Sequence, residues 1–163
     1  IYAHAHIPAS HSGMLTALVC LSNVGGPIVA GMMLQQGRPA WVLLTAGFVL
    51  MMLGAVLTFA GEGFLPFSVR YCGVLLFSAC GGLIPGVVFA YVVYLAPSQQ
   101  TVASTMGWVQ QWSALGQFSL PPLMGSLGMW WGSWRNAWLV CVALGVVGIV
   151  CALGIRRLVN RLA

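Results

Sequence analysis

Charge is nearly absent from this chain. Of 163 residues only 4% are charged, and Glu62 is the one acid set against six arginines. Ordinary soluble domains carry about 25% charged residues, so a water-soluble fold would have almost nothing with which to cover its surface. With 60% hydrophobic residues, the natural solvent is lipid. No charge at all falls between Arg70 and Arg135, an interval far longer than the roughly 20 apolar residues that cross a bilayer once. The chain must cross more than once.

Other absences narrow the reading. The chain opens on Ile1 with no basic n-region and stays apolar to its end, which argues against a cleaved signal peptide and leads us to expect a fragment of a longer polypeptide. Cys20, Cys72, Cys80, Cys141 and Cys151 form no C-x-x-C pair, so neither zinc nor a disulfide framework is indicated and they read as small packing residues. His4, His6 and His11 have no Cys, Asp or Glu beside them, so neither a metal site nor a cofactor is expected. The formal net charge of +5 comes from Arg38, Arg70, Arg135, Arg156, Arg157 and Arg161. They are dispersed at the ends of apolar runs, as residues flanking membrane spans are, and no nucleic-acid partner is expected.

Breaking the chain at its Gly, Pro, Gln and Arg clusters leaves five apolar stretches, at about 12–34, 39–60, 66–95, 99–127 and 133–158. Each is long enough to span as a helix. A closed barrel would need strands of about ten residues in strict alternation, which are not seen. The expected fold is therefore an all-α polytopic membrane bundle of five transmembrane helices. Residues 1–11 are an outer-side flank, the end of a loop or of a preceding helix, and 159–163 a cytoplasmic tail. A cytoplasmic C-terminus puts Arg38, Arg156, Arg157 and Arg161 inside, with Arg70, Arg135 and Glu62 outside. That split of four arginines to two follows the positive-inside rule. Trp130, Trp131, Trp134 and Trp138 then suit an outer interfacial belt.

The spans also match one another. Arg38-Pro39-Ala40-Trp41 opens the second, Arg135-Asn136-Ala137-Trp138 opens the fifth, and Gly31 and Gly128 stand seven residues before each arginine. Ala46 and Ala55 align with Ala143 and Ala152, while Asn23, Pro27 and Gly31 have the spacing of Gln117, Pro121 and Gly125. The first two spans thus look like a copy of the last two, in three-helix units of which the earlier lacks its first helix. Three being odd, consecutive units would cross in opposite senses, an inverted-topology repeat of the kind found in secondary transporters.

The stretch Gly31-Met32-Met33-Leu34-Gln35-Gln36-Gly37-Arg38 resembles the inner-side glycine, acidic and basic loop of the major facilitator superfamily. Gly31, Gly37 and Arg38 match, Gln35 and Gln36 replace its charged residues, and the segment is one residue short. Gly81-Gly82-Leu83-Ile84-Pro85-Gly86 and Leu115-Gly116-Gln117-Phe118-Ser119-Leu120-Pro121-Pro122 are similar to further stretches of that family. The resemblance implies helices eight to twelve of a twelve-helix transporter in an inner (plasma) membrane, bacterial by expectation. It also implies alternating access for a small-molecule solute, a gating loop at Gly31, Gly37 and Arg38, and a missing N-terminal half as partner beside the lipid bilayer. The first, third and fourth spans would surround the cavity.

Read from the residues themselves, Gly81, Gly82, Pro85 and Gly86 are either a helix hinge or a seam for close packing. Asn23, Gln110, Ser113 and Gln117 lie on polar faces of the first and fourth spans, which should look toward protein or a wet cavity. They are the candidate substrate pathway, with Arg70 as a single positive charge. Glu62 is expected in a solvated glycine-rich loop. No span holds an interior carboxylate or histidine, so an enzyme is not expected. A membrane-embedded enzyme or a non-catalytic assembly subunit are the alternatives to a transporter.

Overall fold

The computed structural model of the protein describes residues 9–162. Its long helices are α1 (Ala9–Gln35), α2 (Ala40–Ala55), α3 (Phe67–Leu95), α4 (Val102–Trp131) and α5 (Ala137–Leu162), with no strand among the described residues. A π-helical turn, Val56–Ala60, prolongs α2, and single 3₁₀ turns at Gln99–Thr101 and Trp134–Asn136 lead into α4 and α5. The helices exceed the expected spans at both ends of the chain: α1 begins at Ala9, inside the expected flank, and α5 runs to Leu162, through the expected tail.

Local chemistry sets the breaks. Gly37, at φ +80°, closes α1 in a left-handed cap, its N–H donating to Leu34 O (3.0 Å) and that of Arg38 to Met33 O (3.1 Å). This is the Schellman pattern, which satisfies carbonyls the helix end would leave bare. Pro39 and Pro66, both extended, precede the first residues of α2 and α3, where a missing N–H costs nothing. Ser98 and Thr101 cap each other ahead of α4, and Gly132 at φ +64° ends it.

This is an integral membrane helix bundle. Four helical segments, within α1, α2 with its π turn, α3 and α5, are long and apolar enough to cross a membrane. The fourth expected span differs. At 30 residues α4 is long enough, about 45 Å at 1.5 Å per residue, but it is not among the four. Gln110, Gln111, Ser113, Gln117, Ser119 and Ser126 lower its hydropathy. A small core that includes Ala30, Leu43, Leu44 and Val87 is buried, while many large apolar side chains such as Leu21, Ile28 and Phe118 are exposed, as side chains facing acyl chains would be.

The centre of the bundle is α3, with α1 packed along one side and α2 along another; α5 packs on α2, and α4 touches α3 and α5 sparsely. Its ends sort the charges. At one end the Arg156 guanidinium lies 4.4 Å from the centre of the Trp41 ring, bringing the start of α2 beside the end of α5. At the other, Arg135 lies over Phe64 (5.4 Å) and Arg70 faces Glu62. The two arginine groups expected on opposite membrane faces therefore occupy opposite ends. Because Arg156 stacks on an indole and clamps α2 to α5, Trp41→Leu should destabilise the bundle by about 0.5–2 kcal/mol. Thermal unfolding in detergent would measure this, with Trp108→Leu on exposed α4 as the near-neutral control.

Candidate functional site

The α1–α3 seam holds most of the polar chemistry. Ser78 Oγ donates to Val19 O (2.8 Å), Tyr71 Oη to Leu15 O (2.8 Å), Ser22 Oγ to Leu75 O (3.4 Å) and Asn23 Nδ2 to Ser78 O (2.9 Å). Small residues make this possible. A Cβ at Gly26 would strike the backbone of Ala79, Gly82 and Leu83, one at Gly82 would strike Asn23 O, and one at Gly86 would lie 2.7 Å from Pro27 Cα. Helices this close gain dispersion and interhelical hydrogen bonds, the forces left when apolar burial no longer discriminates.

Several candidate residues are thereby placed. Gly82 and Gly86 face α1, whereas a Cβ at Gly81 would only reach Asn23 Nδ2 at 3.6 Å. Pro85 sits inside an α3 that stays helical from Phe67 to Leu95. Asn23 is exposed at the edge of the seam and spends an amide hydrogen on α3. The seam runs through Leu15, Val19, Ser22, Gly26 and Ala30 with Asn23 and Pro27 along its edge, while Thr16 and Cys20 are exposed.

Arg70 is held, not free. Its Nε donates to Thr58 O (3.1 Å), Thr58 Oγ1 donates back to Arg70 O (3.4 Å), and its Nη2 lies 3.9 Å from Glu62 Oε1. The π turn accounts for the first contact. Gly61 N–H bonds Val56 O and Glu62 N–H bonds Phe59 O, leaving Thr58 O at the helix end to the guanidinium. Glu62, expected as a solvated loop residue, is instead half-buried, with 32% of its side chain exposed, beside Arg70, whose side chain is 11% exposed. At 3.9 Å the contact is an ion pair without a hydrogen bond, of the partly exposed kind that contributes about 0–1 kcal/mol.

The remaining candidates stand apart. Gly31 has open space around it, Gly37 forms the cap and Arg38 is exposed beyond it. On α4, Gln117 Nε2 donates to Ser113 Oγ (3.2 Å), and Gln110 lies exposed two turns earlier. No residue of α4 is buried. The polar stripe therefore has no facing wall, and Asn23 is on another surface with its own partner.

Between α2, α3, α4 and α5 lies a cavity of about 500 Å³ which sequence reasoning missed. Phe48 and Met51 of α2, Phe77 of α3, Leu120 and Met124 of α4 and Leu144 of α5 are among its walls, which are almost wholly apolar. Such a lining excludes a hydrated polar solute. Nothing in composition could signal it, since these residues are indistinguishable from lipid-facing ones. His4 and His6 lie outside the described residues; among the described residues no group of three metal-ligating side chains comes together. Compared with known proteins, the chain matches no family model, no curated protein and no solved structure.

Proposed function

We propose that this chain is the five-helix C-terminal part of a secondary transporter of the major facilitator type, moving a small polar solute by alternating access. The carrying observation is the stripe Gln110, Ser113 and Gln117, left exposed on a long helix of a membrane bundle. Facing acyl chains such a stripe is costly; facing a wet cavity shared with another half of a transporter it is not. Amides offer both donors and acceptors, so Gln110 and Gln117 bind a solute without the desolvation cost of a buried ion. Two further features support the reading. Ala40 and Ala137, and likewise Ala55 and Ala152, are buried at repeat-equivalent positions, and arginines segregate to opposite ends. In this reading the C-terminus is cytoplasmic, in a bacterial inner membrane, and Gly37 with Arg38 belongs to an inner gating loop.

Arg70, paired with Glu62 and Thr58 O, braces the outer end of α2 and α3 and meets solute only if that pair opens. Uptake by the full-length protein is the test. Gln110→Ala and Gln117→Ala should each raise KM severalfold or abolish uptake, with membrane expression unchanged. Normal uptake by both variants would make the stripe structural, since an interhelical amide bond contributes only about 0.6 kcal/mol on average in membrane double-mutant cycles.

A further inference from the structure

The apolar cavity has a defined depth and a charged end. Along α2 and its π turn the lining runs from Phe48 to Phe59, about 16 Å at 1.5 Å per residue. Half of a hydrocarbon core about 30 Å thick is about 15 Å, so the cavity is as deep as one leaflet. It is not centred in the bundle. Thr58 and Phe59 belong to the π turn that finishes α2, while Val140 and Cys141 lie within the first two turns of α5. Both places belong to the end that carries Arg70 and Arg135.

Charge at that end is unbalanced. Glu62 is taken up by Arg70, at 3.9 Å. Arg135 is exposed, lies over the Phe64 ring and, among the described residues, has no carboxylate at ion-pair distance. Its turn, Trp134–Asn136, packs against the π turn Val56–Ala60, the same segment whose Thr58 and Phe59 line the cavity. The Trp134 ring lies against Gly128, one turn beyond Met124 of the lining. A guanidinium, an indole of the kind that sits at a membrane interface and an apolar shaft one leaflet deep therefore succeed one another from this end inwards.

We propose that the cavity is a binding site for one anionic phospholipid of the leaflet at this end, with an acyl chain between α2, α3, α4 and α5 and the phosphate on Arg135. The parts have separate reasons. Walls facing an empty space forfeit their dispersion contacts, water does not fill a space that offers it almost no polar partner, and the medium at hand to restore the contacts is the acyl chain. Entry is lateral, because α4 buries no residue and packs only sparsely on α3 and α5. Apolar fit by itself accepts any lipid. The arginine supplies the selection: a guanidinium binds phosphate through paired N–H donors, and a net positive end favours a headgroup of net negative charge. A neutral lipid and a second copy of this chain are the competing occupants. The inference stands independently of the transport reading.

The test is photo-labelling of the full-length protein in phosphatidylcholine nanodiscs that hold a minor amount of phosphatidylglycerol with a diazirine on one acyl chain. Adducts are mapped by mass spectrometry. The expected result is that they concentrate on lining residues such as Met51, Phe77, Met124 and Leu144, above exposed Leu21 and Ile28 of α1. A phosphatidylcholine probe with the same chains, and the Arg135→Gln variant with the first probe, should each give about fivefold fewer lining adducts, the effect of one arginine at an anionic surface. Arg157→Gln, exposed at the opposite end, should leave them unchanged. Cys141→Phe, which fills the shaft, should remove them with Arg135 still in place. Arg135 is exposed and outside the core, so the Arg135→Gln result decides even where Cys141→Phe destabilises the bundle. Equal labelling by the two probes, labelling spread evenly over α1 and the lining, or no change on Arg135→Gln would overturn the proposal. So would a lining without adducts, the outcome of its being covered by a second copy.

Discussion

Gly82→Ala should destabilise the bundle by about 1–3 kcal/mol, the usual cost of overpacking, while Gly81→Ala, one residue earlier on the same helix, should be nearly silent. The two substitutions add the same methyl group to neighbouring glycines of α3. At position 82 the new carbon runs into Asn23 O, a backbone atom that cannot rotate away, so α1 and α3 must separate. Separation also loosens Ser78 Oγ to Val19 O and Asn23 Nδ2 to Ser78 O, the hydrogen bonds that span the seam. At position 81 the methyl meets only Asn23 Nδ2, at an ordinary contact distance of 3.6 Å, and Ala has the better helix propensity. Unfolding in SDS titration reads the difference. Equal effects at both positions would mean that α3 acts through its flexibility and not through this seam.

Side-selective labelling should give an all-or-none result. In a background without the native cysteines, Gln100→Cys and Arg157→Cys should react with an impermeant thiol reagent from one side of the membrane, and Trp130→Cys from the other only. Gln100, Arg157 and Trp130 are all exposed, so reactivity reports sidedness and not burial. The Trp41–Arg156 stack holds the start of α2 at the α5 end that carries Arg157, and α3 and α4 separate that end from the 130–135 turn. Cytoplasmic reactivity of Gln100→Cys and Arg157→Cys is expected from the arginine balance. Labelling of these two positions from opposite sides would refute the span count, and α4 is the helix it would remove.

Charge poverty and long apolar runs gave the class of protein, because no amount of packing lets 60% hydrophobic residues fold around a water-facing surface. Gly37, Pro39, Pro66 and Gly132 gave the breaks between helices, since left-handed caps and absent N–H groups act locally. The sorting of arginines to two ends also followed from order along the chain.

The partners did not follow. Asn23 donates to Ser78 O, Glu62 lies beside Arg70, and the α1 seam centres on Val19, Ser22 and Gly26 with Asn23 and Pro27 at its edge, none of which the order of residues specifies. In water, the apolar stripe of a helix names the face that packs. In a bilayer the lipid tails are as apolar as leucine, so hydrophobic pattern carries no preference between neighbour and solvent. Which face packs is decided by how closely two backbones can approach, as at Gly26 and Gly82, and by which donors then find carbonyls. Composition along the chain therefore determined that there are membrane helices and where the chain breaks between them, and only the tertiary arrangement decided which of their faces meet.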